Sequence, residues 1–159
     1  MKKISIFVDV QNIYYTTTQM YGRNFNYNQF WRDVTKNRIV IKAYAYAVCR
    51  KDKKQKEFQN ILRGIGFEVK LKPFISRSDG SSKGDWDVGI TIDVMDLAKK
   101  SDIVILASGD GDFEILIKKI RDEFKTECEI YGVPKLTSTS LISAATRFFP
   151  ISEEHLIIR

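Results

Sequence analysis

Short apolar runs recur along this 159-residue chain, and most are followed by a segment of helical periodicity. Residues 4–8 are apolar at Ile4, Ile6, Phe7 and Val8 and run straight into Asp9, the pattern of a strand buried on both faces. Residues 38–48 and 67–71 alternate, residues 102–107 are almost purely apolar, and residues 127–131 and 148–151 complete six predicted strands. Helices are predicted over residues 27–35, 52–63, 87–99, 111–124 and 137–146, with Gly64-Ile65-Gly66 ending the second. Residues 73–84 read as a polar loop. This alternation predicts an α/β fold. Parallel strands joined by right-handed crossovers form a central, mainly parallel sheet, covered on both faces as a three-layer sandwich. No repeat and no long linker divides the chain, so residues 1–159 are read as a single domain.

Composition narrows the chemistry. The chain has one histidine, His155, and two distant cysteines, Cys49 and Cys128. Histidine triads and His/Cys metal sites are therefore disfavoured, and catalysis must rest on carboxylates, lysines or hydroxyls. The net charge of +6 leans towards a polyanionic partner. Met1-Lys2-Lys3 before an apolar run faintly imitates a secretory leader. Asp9 interrupts the run too early, and no small-residue cleavage site follows. No apolar stretch approaches transmembrane length. The expectation is a cytoplasmic protein with no membrane partner.

In open parallel sheets, ligands bind outside the carboxyl ends of the strands. Asp9 follows the first predicted strand. Asp110 and Asp112, in Ser108-Gly109-Asp110-Gly111-Asp112-Phe113, follow the fourth, and Asp85 and Asp87 open the helix that leads into it. If the first and fourth strands are neighbours, these acids converge on one cleft. Carboxylates so close stay ionised together only when cations neutralise them. Oxygen-only donors suit Mg²⁺ or Mn²⁺, which can activate water against a phosphodiester. Each acid also has a plain structural reading. Asp112 can cap the helix after it, Asp85 can be a loop residue, and Asp87 sits where a helix dipole favours acids. Asp9 is harder to explain so, because Asn12 could meet any capping need there. Asp93 lies in a helix apolar almost all round, which predicts a buried acid bonded to a partner, with Lys83 one candidate.

Three segments together resemble the NYN domain, in its LabA-like (DUF88) branch of the PIN-like nucleases. They are Phe7-Val8-Asp9-Val10-Gln11-Asn12, Lys83-Gly84-Asp85-Trp86-Asp87-Val88 running to Asp93, and the Ser108 to Phe113 stretch. The resemblance spans nearly the whole chain, in order. It implies a PIN-like α/β sheet, a Mg²⁺- or Mn²⁺-bound acidic site and RNA cleavage. It also implies that Asp9, Asp87, Asp110 and Asp112 are the catalytic and metal-binding acids, supported by Asn12, Lys83, Asp93 and Ser108. One departure is visible: where the family often carries an acid in its last helix, Thr146 stands here.

Arg50, Lys51, Lys53, Lys54 and Lys56 gather at a predicted helix start, where the dipole disfavours cations. They are expected to bind RNA, as is Arg77. Tyr14, Tyr15 and Tyr21 can stack on bases as aromatic platforms do, or pack as half-buried helix residues. Trp86 reads equally as a base platform or a plug beneath the site. The expected partner is single-stranded RNA, and a homodimer stays open. Two other functions compete with an RNA endonuclease. One is a non-catalytic RNA-binding or regulatory module. The other, a phosphohydrolase of small esters, is weakened because Asp9-Val10-Gln11 lacks a second acid and no glycine-rich phosphate cradle is present.

Overall fold

A computed structural model describes residues 1–49, 52–73, 75, 76, 82, 83 and 85–158, with the backbone alone at 73, 75, 76, 82 and 83. Six strands form one parallel sheet: β1 (Lys2–Asp9), β2 (Arg38–Cys49), β3 (Glu68–Pro73), β6 (Ile103–Ala107), β7 (Glu127–Gly132) and β8 (Arg147–Pro150). Their spatial order is β3-β2-β1-β6-β7-β8. The chain winds outward from β1 in one direction, then returns to its other side through β6. The order therefore reverses between β1 and β6, and a crevice opens there at the carboxyl edge. The neighbouring of the first and fourth long strands, on which convergence of the acids depends, is present.

The helices divide between the two faces. Helices α1 (Val10–Tyr21), α2 (Tyr27–Thr35) and α3 (Lys53–Ile65) cover one side, where Ile4, Ile6 and Val8 meet Ile13, Phe30 and Leu62. Helices α4 (Asp87–Ala98), α5 (Glu114–Phe124) and α6 (Thr139–Ala144) cover the other, where Phe7, Val104 and Leu106 meet Ile90, Val94 and Ile117. Strand side chains alternate between these two cores. This is why the central strands read as unbroken apolar runs.

Three elements differ from the sequence expectation. Helix α1 is not predicted, because Ile13, Tyr14, Tyr15, Thr16, Thr17 and Thr18 are β-branched or aromatic and favour strands. Its buried face and the Thr16 and Thr17 hydroxyls, bonded to the carbonyls of Asn12 and Ile13 at 2.8 and 2.7 Å, override that preference. Within the expected polar loop, β4 (Ile75–Ser76) and β5 (Ser82–Lys83) pair antiparallel. The helix expected from residue 111 begins as a 3-10 turn, Gly111–Phe113, before α5. Among the described residues no helix is long and apolar enough to cross a membrane.

Candidate metal centre

The register Val8 to Ala107 places Asp9, the last residue of β1, level with Ser108 just past β6. The Ser108 hydroxyl donates to Asp9 Oδ2 at 3.1 Å and accepts the Asp110 N–H at 3.2 Å. One buried hydroxyl thus orders both acids. Asp9 also caps α1, its Oδ1 accepting the Asn12 N–H at 3.3 Å. This corrects the expectation that Asn12 would serve any cap. The Asn12 side chain instead crosses to β6, and its Oδ1 accepts the Gly109 N–H at 2.9 Å. Two cross-strand bonds therefore tie the end of β1 to the turn after β6.

That turn has little room. The Ser138 N–H donates to the Gly109 carbonyl at 3.1 Å, and a Cβ on Gly109 would stand 2.8 Å from the Leu136 carbonyl oxygen. Glycine is required by this close backbone approach. The stretch that seats the turn, residues 134–138, carries no sequence signal of this role. Asp110 caps the 3-10 turn by accepting the Asp112 N–H at 2.9 Å. The expected capping role of Asp112 therefore falls to Asp110.

Asp87 arrives from the other face. Trp86, just before α4, donates its indole N–H to the Ala47 carbonyl at 2.9 Å and lies against Tyr46, ring centroids 5.3 Å apart. A Cβ on Gly89 would meet the Trp86 ring at 2.6 Å, so glycine lets the indole fold back on its own helix. Trp86 is half-buried and works as an anchor. It fixes the start of α4 to the end of β2 and so aims Asp87 at the crevice.

Carboxylate oxygens of Asp9, Asp87 and Asp110 all lie within 4.8 Å of one another. Asp9 is only 7% exposed, and burial pushes its pKa up to about 6 against the hydrogen bonds from Asn12 and Ser108. Burial also pushes Asp87 up to about 8, helped by a hydrogen bond with Asp110 and by the charges of Asp110, Asp85 and Asp9. At neutral pH Asp87 therefore keeps a proton unless a cation displaces it. The three donors are all oxygens at one half-enclosed point, a set that fits a hard divalent cation.

The other expected site residues fall at various distances from this point. Asp112 is exposed and lies outside the three-acid group. Asp93 is held on the α4 flank, where its Oδ2 accepts from Lys70 Nζ and from the Tyr46 hydroxyl, each at 2.7 Å. Its lysine partner thus comes from β3. Lys83 is described in its backbone alone, and Arg50, Lys51 and Arg77 lie outside the described residues. Lys53, Lys54 and Lys56 are exposed on the first turn of α3, which Asp52 caps through the Gln55 N–H at 2.8 Å. Lys72, on β3, bonds the Asp85 carbonyl and lies 5.0 Å from the Trp86 ring centre. Thr146, in place of the family's acid, accepts the Cys128 N–H at 2.9 Å and serves the backbone of β7.

Comparison with known proteins agrees with this architecture. The profile of the NYN domain matches residues 3–152. The chain is 25% identical to the low amplitude and bright protein LabA of Synechococcus elongatus, over 95% of this chain and 84% of that one. The crystal structure of a protein of unknown function from Vibrio parahaemolyticus superposes with a TM-score of 0.94 at 52% identity, covering 98% of this chain and 96% of that one. A ribokinase from Giardia lamblia superposes at a TM-score of 0.50 and 15% identity, over 94% of this chain and 62% of the other, which is a likeness of fold alone.

Proposed function

The chain belongs to the NYN domain family, a nuclease-like fold, and from that premise we propose that it is a metal-dependent RNA endonuclease cutting phosphodiester bonds in single-stranded RNA. The observation that carries the reading is the meeting of Asp9, Asp87 and Asp110 at the carboxyl edge, from three distant segments. Nothing in the packing of the sheet requires three acids to face one another there, and their mutual repulsion opposes it.

Asp9, Asp87 and Asp110 would hold one Mg²⁺ or Mn²⁺, with exposed Asp112 left to contacts through water. When bound, such an ion neutralises the acids and supplies an activated water and charge stabilisation for attack on a phosphodiester. The protein's own contribution is positioning. Ser108 and Asn12 fix the Asp9 carboxylate, the Asp110 carboxylate is held by the Asp112 N–H, and the Trp86 anchor fixes Asp87. The proton that Asp87 keeps at neutral pH must leave before it can bind a cation as a carboxylate. Lys72, bonded to the Asp85 carbonyl two residues before Asp87, would face substrate phosphate. The one histidine, His155, accepts the Ser152 N–H through Nδ1 at 3.0 Å and is not part of the acid cluster.

The test is a gel assay of single-stranded RNA, duplex RNA and single-stranded DNA, in Mn²⁺ or EDTA, with wild type and Asp9→Asn. Cleavage of single-stranded RNA by the wild type in Mn²⁺ alone is expected. RNA bound but never cut would move the chain to the binding-module reading.

A further inference from the structure

A second concavity of about 630 Å³ lies beside the acids, between α1 and α3. It begins at Val10 and Gln11, directly after Asp9, and its upper wall is Ala47 and Val48 of β2. The register pairs Asp9 with Tyr46, so this wall stands one strand from the acid cluster at the same edge. The groove therefore adjoins the candidate metal centre along the chain and across one strand. Among the residues that position the three acids, Ala47, whose carbonyl anchors Trp86, also lines it, while the acids themselves, Ser108 and Asn12 do not.

Its lining has two characters. Tyr14 and Tyr15 are each 55% exposed, with ring centroids 5.9 Å apart, and with Phe58 and Ile61 they give the groove an apolar, largely aromatic side. Large aromatic rings left in water at a concave surface are what a stacking partner needs. The polar side holds Asn24, Asn28 and Gln55, whose amides both donate and accept. Lys54 stands at the mouth, flanked on the same helix turn by Lys53 and Lys56.

Tyr27 adds an independent sign. Its ring lines the groove and is only 8% exposed, yet its hydroxyl makes no hydrogen bond to any described residue. No buried polar side-chain atom among the described residues is both sealed and unpartnered, so this hydroxyl stays within reach of the groove. A phenol whose ring is buried and whose hydroxyl opens without a protein partner onto the groove can donate to an acceptor seated there.

Resting on the endonuclease reading, we infer that this groove seats an unpaired base of the single-stranded RNA next to the phosphate at Asp9, Asp87 and Asp110. Tyr14 or Tyr15 stacks on the base, Tyr27 donates to an acceptor on its edge, and Lys54 meets the adjoining phosphate. The occupant is set by charge as well as shape. A lysine-rimmed, amide-bearing groove suits an anionic strand with flat bases better than an apolar helix, and duplex RNA keeps its base faces stacked and closed to tyrosine.

The test is equilibrium binding of a fluorescein-labelled single-stranded RNA dodecamer, measured in EDTA and again in Ca²⁺. Its comparisons are a dodecamer with central abasic residues and the DNA of the same sequence. The variants are Tyr14→Ala/Tyr15→Ala, which alters only exposed rings, and Tyr27→Phe, which removes only the hydroxyl. Wild type is expected to bind RNA. The double variant should lose about ten-fold or more in affinity, as loss of one stacked base implies. Tyr27→Phe should lose about three-fold or more, and both effects should vanish on the abasic strand. Sedimentation of the double variant should match the wild type. If RNA binds and neither variant matters, the base lies elsewhere and this inference falls while the endonuclease reading stands. Equal behaviour towards DNA overturns the commitment to RNA. A change of oligomeric state in the double variant without loss of RNA binding gives the groove to a second copy. No RNA binding by wild type in either condition overturns both readings.

Discussion

Carboxylate oxygens of Asp87 and Asp110 lie within 4.8 Å of each other, although one residue opens α4 and the other caps the turn after β6. Burial and the neighbouring charges push Asp87 up to about 8, so it keeps its proton at neutral pH in the metal-free protein.

The stability of the metal-free protein should therefore fall as pH rises. Asp9 and Asp87 have folded pKa values of about 6 and about 8, above the ordinary carboxylate value near 3.8. Between pH 4.5 and 8.5 the unfolded chain has released protons that the folded chain still holds. That part of the stability is present at low pH and lost as each folded pKa is passed. Thermal unfolding in EDTA should give a lower Tm at pH 8.5 than at pH 5, and Mn²⁺ should restore it. In Asp9→Asn the decline should be shallower and the Mn²⁺ effect absent. A Tm that rises across this window would contradict the assignment.

Lys70 should matter for stability and little for metal. Its Nζ lies 2.7 Å from Asp93 and 4.2 Å from the Tyr44 ring centre. Lys70→Met leaves a half-buried carboxylate with the Tyr46 hydroxyl alone, at a cost of about 1–3 kcal/mol. Adding Asp93→Asn should recover part of the stability. Denaturant titration of the four proteins in a double-mutant cycle measures the coupling, and additive effects would show the pair to be idle.

Gly109→Ala should damage the site from behind. Its Cβ would press on the Leu136 carbonyl, which belongs to backbone and has little freedom to move. A cost of about 1–3 kcal/mol is expected, with weaker Mn²⁺ binding because the Ser108 to Asp110 turn must shift. Unchanged Mn²⁺ affinity would mean that residues 134–138 do not hold the turn in place.

The cations of α3 should act on binding. Replacing Lys53, Lys54 and Lys56 with Gln should weaken RNA binding and flatten its salt dependence, by about 0.7 in slope for each phosphate that is no longer neutralised. The rate of cleavage at saturating RNA should change little. An unchanged slope would return these lysines to the solvated surface.

Much of this arrangement is legible in the chain. The apolar strands with acids at their ends predict a parallel sheet and a cleft at its carboxyl edge. Asp9 and Asp110 are visible because each stands just outside an apolar run. What escapes depends on interactions between distant segments. Helix α1 is held by its buried face and by threonine hydroxyls against the propensity of its own residues. The Asn12 bond to Gly109 and the seat formed by residues 134–138 leave no local pattern. Spacing alone does not separate Asp110 from Asp112, because both lie in one turn. Only the fold turns one carboxylate towards Asp87 and leaves the other in solvent.

The central claim, that these three acids form a divalent-cation site, is tested most directly by counting protons. Mn²⁺ titration by calorimetry at pH 7, in buffers of different ionisation enthalpy, measures protons released per ion bound. With Asp87 raised to about 8, binding should release about one proton at pH 7 and almost none above pH 9. Asp87→Asn should abolish the release. Absence of Mn²⁺ binding, or a proton count unchanged in Asp87→Asn, would contradict the account.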